Sequence, residues 1–325
     1  MTERRAAFYR DLRAVESAAF WEQVDRSGAP QPVTVPHLWR WAELAPLLRR
    51  AGELVDTVEA ERRVLMLVNP ATRGDKRAVG NLYAGMQIVL PGESARAHRH
   101  TACALRFVLE GSGASTVVDG RAVKVERFDL VLTPGWAWHD HVNSSAEPVV
   151  WLDALDSPLT RALDAWFFEP HPDGFQSVAS GDTGGSSTRA ASPLRYAWAD
   201  TSVKLDAAMA TSDVGAAVVD YTRPSTGQDV FPTIRCRALR VASGGRFGPM
   251  RRVGAAVYCV VDGRGTARVG ADRYDLEFGD VFCVPSWCPL EIGDAVEGPL
   301  SLFAYDDEPV LRALGLARAE QIEGG

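Results

Sequence analysis

The feature that most constrains this chain is a pattern that occurs twice. FVLEGSGASTVVDG at 107–120 aligns with CVVDGRGTARVGAD at 259–272, placing Gly111 and Gly113 on Gly263 and Gly265 at an offset of 152. Further on, FDLVLTPGW at 128–136 aligns with GDVFCVPSW at 279–287, one residue shorter. Self-similarity of this kind means that one structural unit is used twice. The repeated stretches are short, rich in Val and Leu, and broken by Gly, Pro, Asn or Asp, which is strand and turn sequence. RRVLMLVNP (62–70), LYAGMQIVL (82–90), LRFVLEG (105–111), STVVDG, RAVKV, DLVLTP and PVVWLD continue the same rhythm through the first copy. Even spacing of short strands predicts an antiparallel sandwich or barrel, so the fold class is mainly β with two such units.

Helical sequence flanks them. Phe8, Leu12, Val15 and Ala19, then Leu38, Trp41, Leu44, Leu47 and Leu48, recur at helical spacing, so 3–56 reads as helix with a break at Pro32 to Pro36. Helices are also expected over 157–168 and around 200–212. Residues 169–193 are polar and rich in Gly and Ser, which reads as a linker. The expected organisation is an N-terminal helical cover (1–60), a first β unit (61–168), linker and helix (169–232), a second β unit (233–305) and a C-terminal helix or tail (306–325).

The 325 residues are 46% hydrophobic, enough to bury a full core. A net charge of -7 argues against nucleic acid or an anionic membrane as partner. No apolar run is long enough to span a bilayer, and the charged N-terminus has no hydrophobic stretch behind it, so the expected compartment is the cytoplasm. Five cysteines with no C-x-x-C pair read as reduced thiols.

Only six histidines are present, and four of them (His98, His100, His139, His141) fall between 92 and 143 as two H-x-H pairs in strand-like sequence. Residues two apart on a strand share a face, so two such strands side by side gather several imidazoles around one point. That is metal-site geometry. His37 reads as a surface or capping residue at the start of a helix, and His171 as a solvated linker residue. At the repeat offset, His98, His100 and His139 face Met250, Arg252 and Leu290, so one metal site per chain is expected, in the first unit.

Gly92, His98-x-His100 and Gly111, followed by Pro134, His139 and Asn143, resemble the two-part cupin signature. A doubled cupin carrying ERRVLMLVNP, NLYAGMQIVLPGE, WAWHDHVN, WLDALDSPL and FPTIRC resembles the gentisate 1,2-dioxygenase family, with its salicylate and 1-hydroxy-2-naphthoate dioxygenase relatives. The resemblance implies a bicupin fold of two double-stranded β-helix barrels and a homotetramer. Two departures stand out. Phe128 and Trp136 occupy places where the signature usually has Gly, and Ala104 and Leu105 stand where many cupins carry a glutamate ligand, as is usual for this family.

Spacing alone leaves Fe(II), Mn, Ni, Cu and Zn open; the resemblance selects Fe(II), one per chain, held by His98, His100 and His139. Three neutral imidazoles leave the ion its full double charge, which suits a carboxylate with an ortho phenolate. His141 is the candidate for proton handling. Arg106 lies on the ligand face by parity if its strand runs unbroken from His100, and the resemblance implies that it binds the substrate carboxylate. Arg62 or Arg63 is the second candidate, with Arg62 preferred. Gln87 and Tyr83 flank Gly85, whose missing side chain leaves room for a ring. Asp153 could accept a hydrogen bond from a ring hydroxyl or from His141, and Trp136 and Trp138 read as pocket wall. The implied activity is cleavage of gentisate, or a related ortho-hydroxy aromatic acid such as salicylate or 1-hydroxy-2-naphthoate, between C1 and C2 with both atoms of O2 incorporated; gentisate would give maleylpyruvate. A cupin that senses an aromatic acid without turnover, and another metal-dependent enzyme such as an isomerase, would use the same residues.

Overall fold

The structure is a computed structural model that describes residues 3–24, 26–178 and 194–322. Residues 1–31 and 32–325 form two compact units. In the first, the helix Glu3–Ala14 is followed by a single 3-10 turn, Phe20–Glu22. The Tyr9 hydroxyl accepts hydrogen bonds from Arg5 and from the Trp21 indole at 3.2 Å.

The second unit contains both barrels. A six-stranded and a five-stranded sheet make the first, and a nine-stranded sheet makes the second. Tyr83–Val89, Ala104–Glu110, Leu130–Thr133 and Val149–Leu155 run side by side in the six-stranded sheet, all antiparallel. These strands read as near-continuous apolar runs because both of their faces are covered. Leu105, Phe107 and Leu109 point outward into a core shared with Val257, Cys259, Phe303 and Tyr305 of the second barrel. The Phe107 and Phe303 rings stack there, 4.3 Å apart and 6° from parallel. Arg106 and Val108 alternate with them and point inward, so one strand builds the inter-barrel core with its odd residues and the barrel interior with its even ones. Tyr305 ties the two together again, donating its hydroxyl proton to the Tyr83 carbonyl at 2.8 Å.

Several local expectations change. The helical reading of 3–56 holds for Glu3–Ala14 and Trp41–Leu54, but His37–Trp39 is a strand paired with Val281–Val284 of the second barrel. His37 is therefore an edge-strand residue rather than a helix cap. The helix at 157–168 stops at Ala162, and Phe168–Pro170 becomes a strand laid along Ser94–His100. The expected linker therefore starts later than 169; its residues 179–193 lie outside the described ones. His171 packs edge-on against Trp138, ring centroids 4.7 Å apart, instead of standing in solvent. A strand at Ala216–Tyr221 joins the second sheet ahead of residue 233, and beyond the helix Glu308–Ala313 the tail forms a further strand, Ala319–Gln321. All five cysteines are free thiols.

Candidate metal centre

The strand Ser94–His100 pairs with His139–Val142, and His98 sits directly opposite His139. His100 shares the His98 face two residues on, so three imidazoles converge, their ligand atoms all within 4.8 Å of one another. Two backbone carbonyls set the tautomers. His100 Nδ1 donates to the Ala102 carbonyl at 2.9 Å and His139 Nδ1 to the Ala137 carbonyl at 3.0 Å, which leaves each Nε2 with its lone pair. His139 Nε2 is buried with no hydrogen-bond partner among the described residues, as a nitrogen meant for a metal would be. Burial, reinforced by the charges of Arg62 and Arg106, pushes His98 and His139 far below the ordinary imidazole value, and burial takes His100 down to about 4. All three are neutral at pH 7, as ligation requires. A proton competes for a ligand nitrogen only below that nitrogen's own value. Metal retention is therefore expected to hold from neutral pH to about pH 5, well below the unperturbed histidine value of ~6.5. Dialysis at stepped pH with metal analysis checks this, and a loss centred near the unperturbed value would count against it.

The imidazoles open into a cavity of about 230 Å³ whose walls include Arg62, Tyr83, Gln87, Arg106 and Asp153. Arg106 does not reach it by strand parity with His100, because the chain turns at Thr101–Cys103 and changes sheet. It arrives from the opposite sheet, 4% exposed, with Nη1 donating to Thr133 Oγ1 at 2.7 Å and Nε 3.2 Å from Asp153 Oδ1. Burial works against both of these charges, and each partner is the main group offsetting that cost for the other. Arg62 donates to the Arg96 carbonyl at 2.9 Å and lines the cavity, with burial lowering its guanidinium to about 9. Arg63 turns away and pairs with Glu93.

His141 lies beside the triad, and two further residues sit differently from expectation. His141 is fully buried behind the cavity wall, its Nδ1 3.1 Å from Thr116 Oγ1 and its ring 6.1 Å from that of His139. Gly85 leaves no free room for a substrate ring, because a Cβ there would lie 2.7 Å from both the Tyr83 hydroxyl and Val64. Trp136 is not pocket wall. Its φ of 65° throws the ring outward to 41% exposure, where it lies tilted against Phe167 and beneath Arg99 at 5.1 Å. The second barrel repeats the arrangement with Trp287 (φ 63°) beneath Arg251 at 4.7 Å, so it belongs to the fold rather than to the chemistry.

Unanticipated wall residues are Val64, Lys76, Leu155, Ser157, Arg161, Trp166 and Phe168. Trp166 stacks on His100, centroids 5.8 Å apart and 17° from parallel, while Arg161 lies 4.2 Å above the Trp166 ring. A signal for part of this set was present: LDALDSPLTRAL (152–163) aligns with FAYDDEPVLRAL (303–314) at an offset of 151. In the second barrel the equivalent region is filled by ion pairs. Asp306 is held by Arg235, Arg237 and Arg252 at 3.0 to 3.2 Å, and Arg252 stands in the place of His100.

A barrel of this topology with three converging imidazoles is a metal-binding cupin, and the Cupin domain family matches residues 85–155. The gentisate 1,2-dioxygenase of Streptomyces sp is 40% identical, over 99% of this chain and 97% of that protein. The 5-aminosalicylate 1,2-dioxygenase of Comamonas sp is 36% identical over 97% of this chain and 89% of its own length. The solved salicylate 1,2-dioxygenase from Pseudoaminobacter salicylatoxidans, an adduct with gentisate, superposes with a TM-score of 0.91 at 33% identity, covering 99% of this chain and 95% of that one. The chain belongs to the gentisate 1,2-dioxygenase family and is an oxidoreductase of the bicupin fold.

Proposed function

We propose that this protein is an Fe(II)-dependent dioxygenase that opens gentisate between C1 and C2 to maleylpyruvate, incorporating both atoms of O2. The observation that carries the reading is the three-imidazole centre facing a cavity that holds three arginines and aromatic walls, in a chain 40% identical to a gentisate 1,2-dioxygenase. Salicylate and 5-substituted salicylates are the alternative substrates. The cavity of about 230 Å³ falls below the ~300–1,000 Å³ usual for ligand sites, which favours a one-ring acid over a naphthoate. A cytoplasmic homotetramer with one iron per chain completes the proposal.

The residues fit the metal: two imidazoles have their tautomers set by carbonyls, and a cluster of buried polar atoms (Gln87 Oε1, His139 Nε2, His141 Nε2) has no hydrogen-bond partner among the described residues. His98, His100 and His139 would hold iron, which supplies a Lewis-acidic centre able to hold the hydroxy acid and dioxygen together. The protein's own groups do the rest. Arg106 spends Nη1 on Thr133 and Nε beside Asp153, so Nη2 is the donor left for the substrate carboxylate, with Arg62 as the second cation. Asp153 and Thr133 keep the fork from rotating. Gln87 orients the ring hydroxyl at C2, and Trp166 and Phe168 restrict water at the open side. His141 is neutral at pH 7 and is assigned proton transfer at Nε2.

Reconstitution with Fe(II) under argon, followed by oxygen uptake and ultraviolet absorbance with gentisate, salicylate, 5-substituted salicylates and 1-hydroxy-2-naphthoate, tests the reading. An iron-loaded protein that consumes no oxygen with any of them would overturn it. Arg106→Lys keeps the charge and loses the planar fork, so substrate binding should weaken by about 1.5–3 kcal/mol, read as a rise in KM larger than the fall in kcat. Wild-type kinetics in that variant would move the carboxylate site elsewhere.

A further inference from the structure

The two barrels place the same arginine in opposite circumstances. In the segment repeated at an offset of 151, Arg161 corresponds to Arg312, Leu155 to Asp306 and Ser157 to Glu308. In the second barrel every one of these positions is electrostatically closed: Arg312 pairs with Asp229, Asp306 takes three arginines, and Glu308 pairs with Arg235 and Arg252. In the first barrel the two carboxylates are replaced by Leu155 and Ser157, both on the cavity wall. Arg161 lines the same cavity, and among the described residues it has no carboxylate partner; what holds it is the face of Trp166, 4.2 Å below its guanidinium. A guanidinium stacked on an aromatic ring is pinned in orientation while its N–H donors stay free at its edge. Lys76, also exposed on the wall, likewise has no carboxylate partner among the described residues.

The chemistry of the substrate says what such a cation would meet. A hydroxy acid that chelates through its C1 carboxylate and C2 hydroxyl turns the C4–C5 edge of the ring away from the metal. The deep end of the site is closed by buried Gln87, Arg106 and Asp153, so that edge faces the side where Arg161 and Lys76 are exposed. Resting on the proposed function, we infer that Arg161 is a specificity determinant for the remote ring edge, selecting ortho-hydroxy acids whose C5 substituent accepts hydrogen bonds or carries negative charge. Hydroxyl, nitro and sulfonate groups meet that description. An aromatic amine, whose lone pair is delocalised into the ring, does not.

The test is anaerobic titration calorimetry of the Fe(II)-loaded protein with gentisate, 5-nitrosalicylate, 5-aminosalicylate and salicylate, comparing wild type with Arg161→Leu and Arg161→Lys. Wild type is expected to bind 5-nitrosalicylate about tenfold more tightly than 5-aminosalicylate, the ratio one charged hydrogen bond supplies. Arg161→Leu should bring the ratio to about one, and Arg161→Lys should retain most of it. A ratio unchanged by Arg161→Leu, or a wild-type ratio near one, overturns the inference. So does an equal loss for all four acids, since that is the result of merely disturbing Trp166 over His100. Failure to bind any of the acids would instead sink the reading of the site itself, and this inference with it.

Discussion

His139→Ala is expected to yield a folded protein that holds no metal and has no dioxygenase activity, with metal content falling from about one per chain to near zero. The side chain is 1% exposed, and its Nε2 is aimed at the centre by the bond from Nδ1 to the Ala137 carbonyl. Removing it leaves two imidazoles, on alternate residues of one strand, with nothing facing them across the ladder. Loss of one of three ligands should weaken metal binding by more than the ~100-fold that disturbing a ligand's supporting hydrogen bond costs. His98→Ala and His100→Ala should behave alike. His141→Ala differs: its ring lies behind the three, so metal should stay while turnover falls. Metal analysis beside oxygen uptake separates the cases. A fully loaded His139→Ala protein, or two tightly held metals per wild-type chain, would sink the assignment.

The second large effect belongs to the barrel without a metal centre. Asp306 is fully buried, takes Nε and Nη2 of Arg235 at 3.1 and 3.0 Å, and faces Arg237 and Arg252 as well. Burial alone would raise its carboxyl; the three arginines more than reverse that and hold it well below the ordinary range. A depressed carboxyl stabilises the fold above its unfolded value and gives that up only as the pH drops through the folded one, so this cluster keeps its contribution throughout mildly acid solution. Asp306→Ala strands buried guanidinium charge and should cost about 3–5 kcal/mol, seen as a lowered urea midpoint or as insoluble expression. A loss below ~1 kcal/mol would mean that Glu308 suffices. Placing histidine at 250, 252 and 290 should add no second metal for the same reason, because Arg252 is a member of the cluster.

Much of this molecule can be read from its residues, and what cannot be read has physical causes. The two barrels follow from the internal repeat, turn spacing and Val/Leu-rich runs, and the imidazole triad follows from two H-x-H pairs on paired strands. His37–Trp39 was illegible because a three-residue strand is specified by its partner at Val281–Val284, about 240 residues away, and not by its own pattern. Parity with His100 does not place Arg106, because the turn at 101–103 breaks it; its pairing with Asp153 across two strands of the other sheet does. Trp136 leaves the pocket wall because its positive φ turns the ring outward, which residue type does not reveal. The wall at Trp166 and Phe168 depends on how a chain leaving a short helix folds back over Ser94–His100, a tertiary choice that local periodicity does not encode.

The shared core between the barrels carries an evolutionary implication. The second copy has no imidazoles at the ligand positions to protect, yet its Phe303 and Tyr305 back the strands whose other side forms the reaction chamber. Natural selection on catalysis in the first copy therefore extends to codons of the second, through shape alone. Adaptive changes in turnover or substrate range can be expected to accumulate at positions such as Val257, Phe303 and Tyr305, which no substrate ever touches.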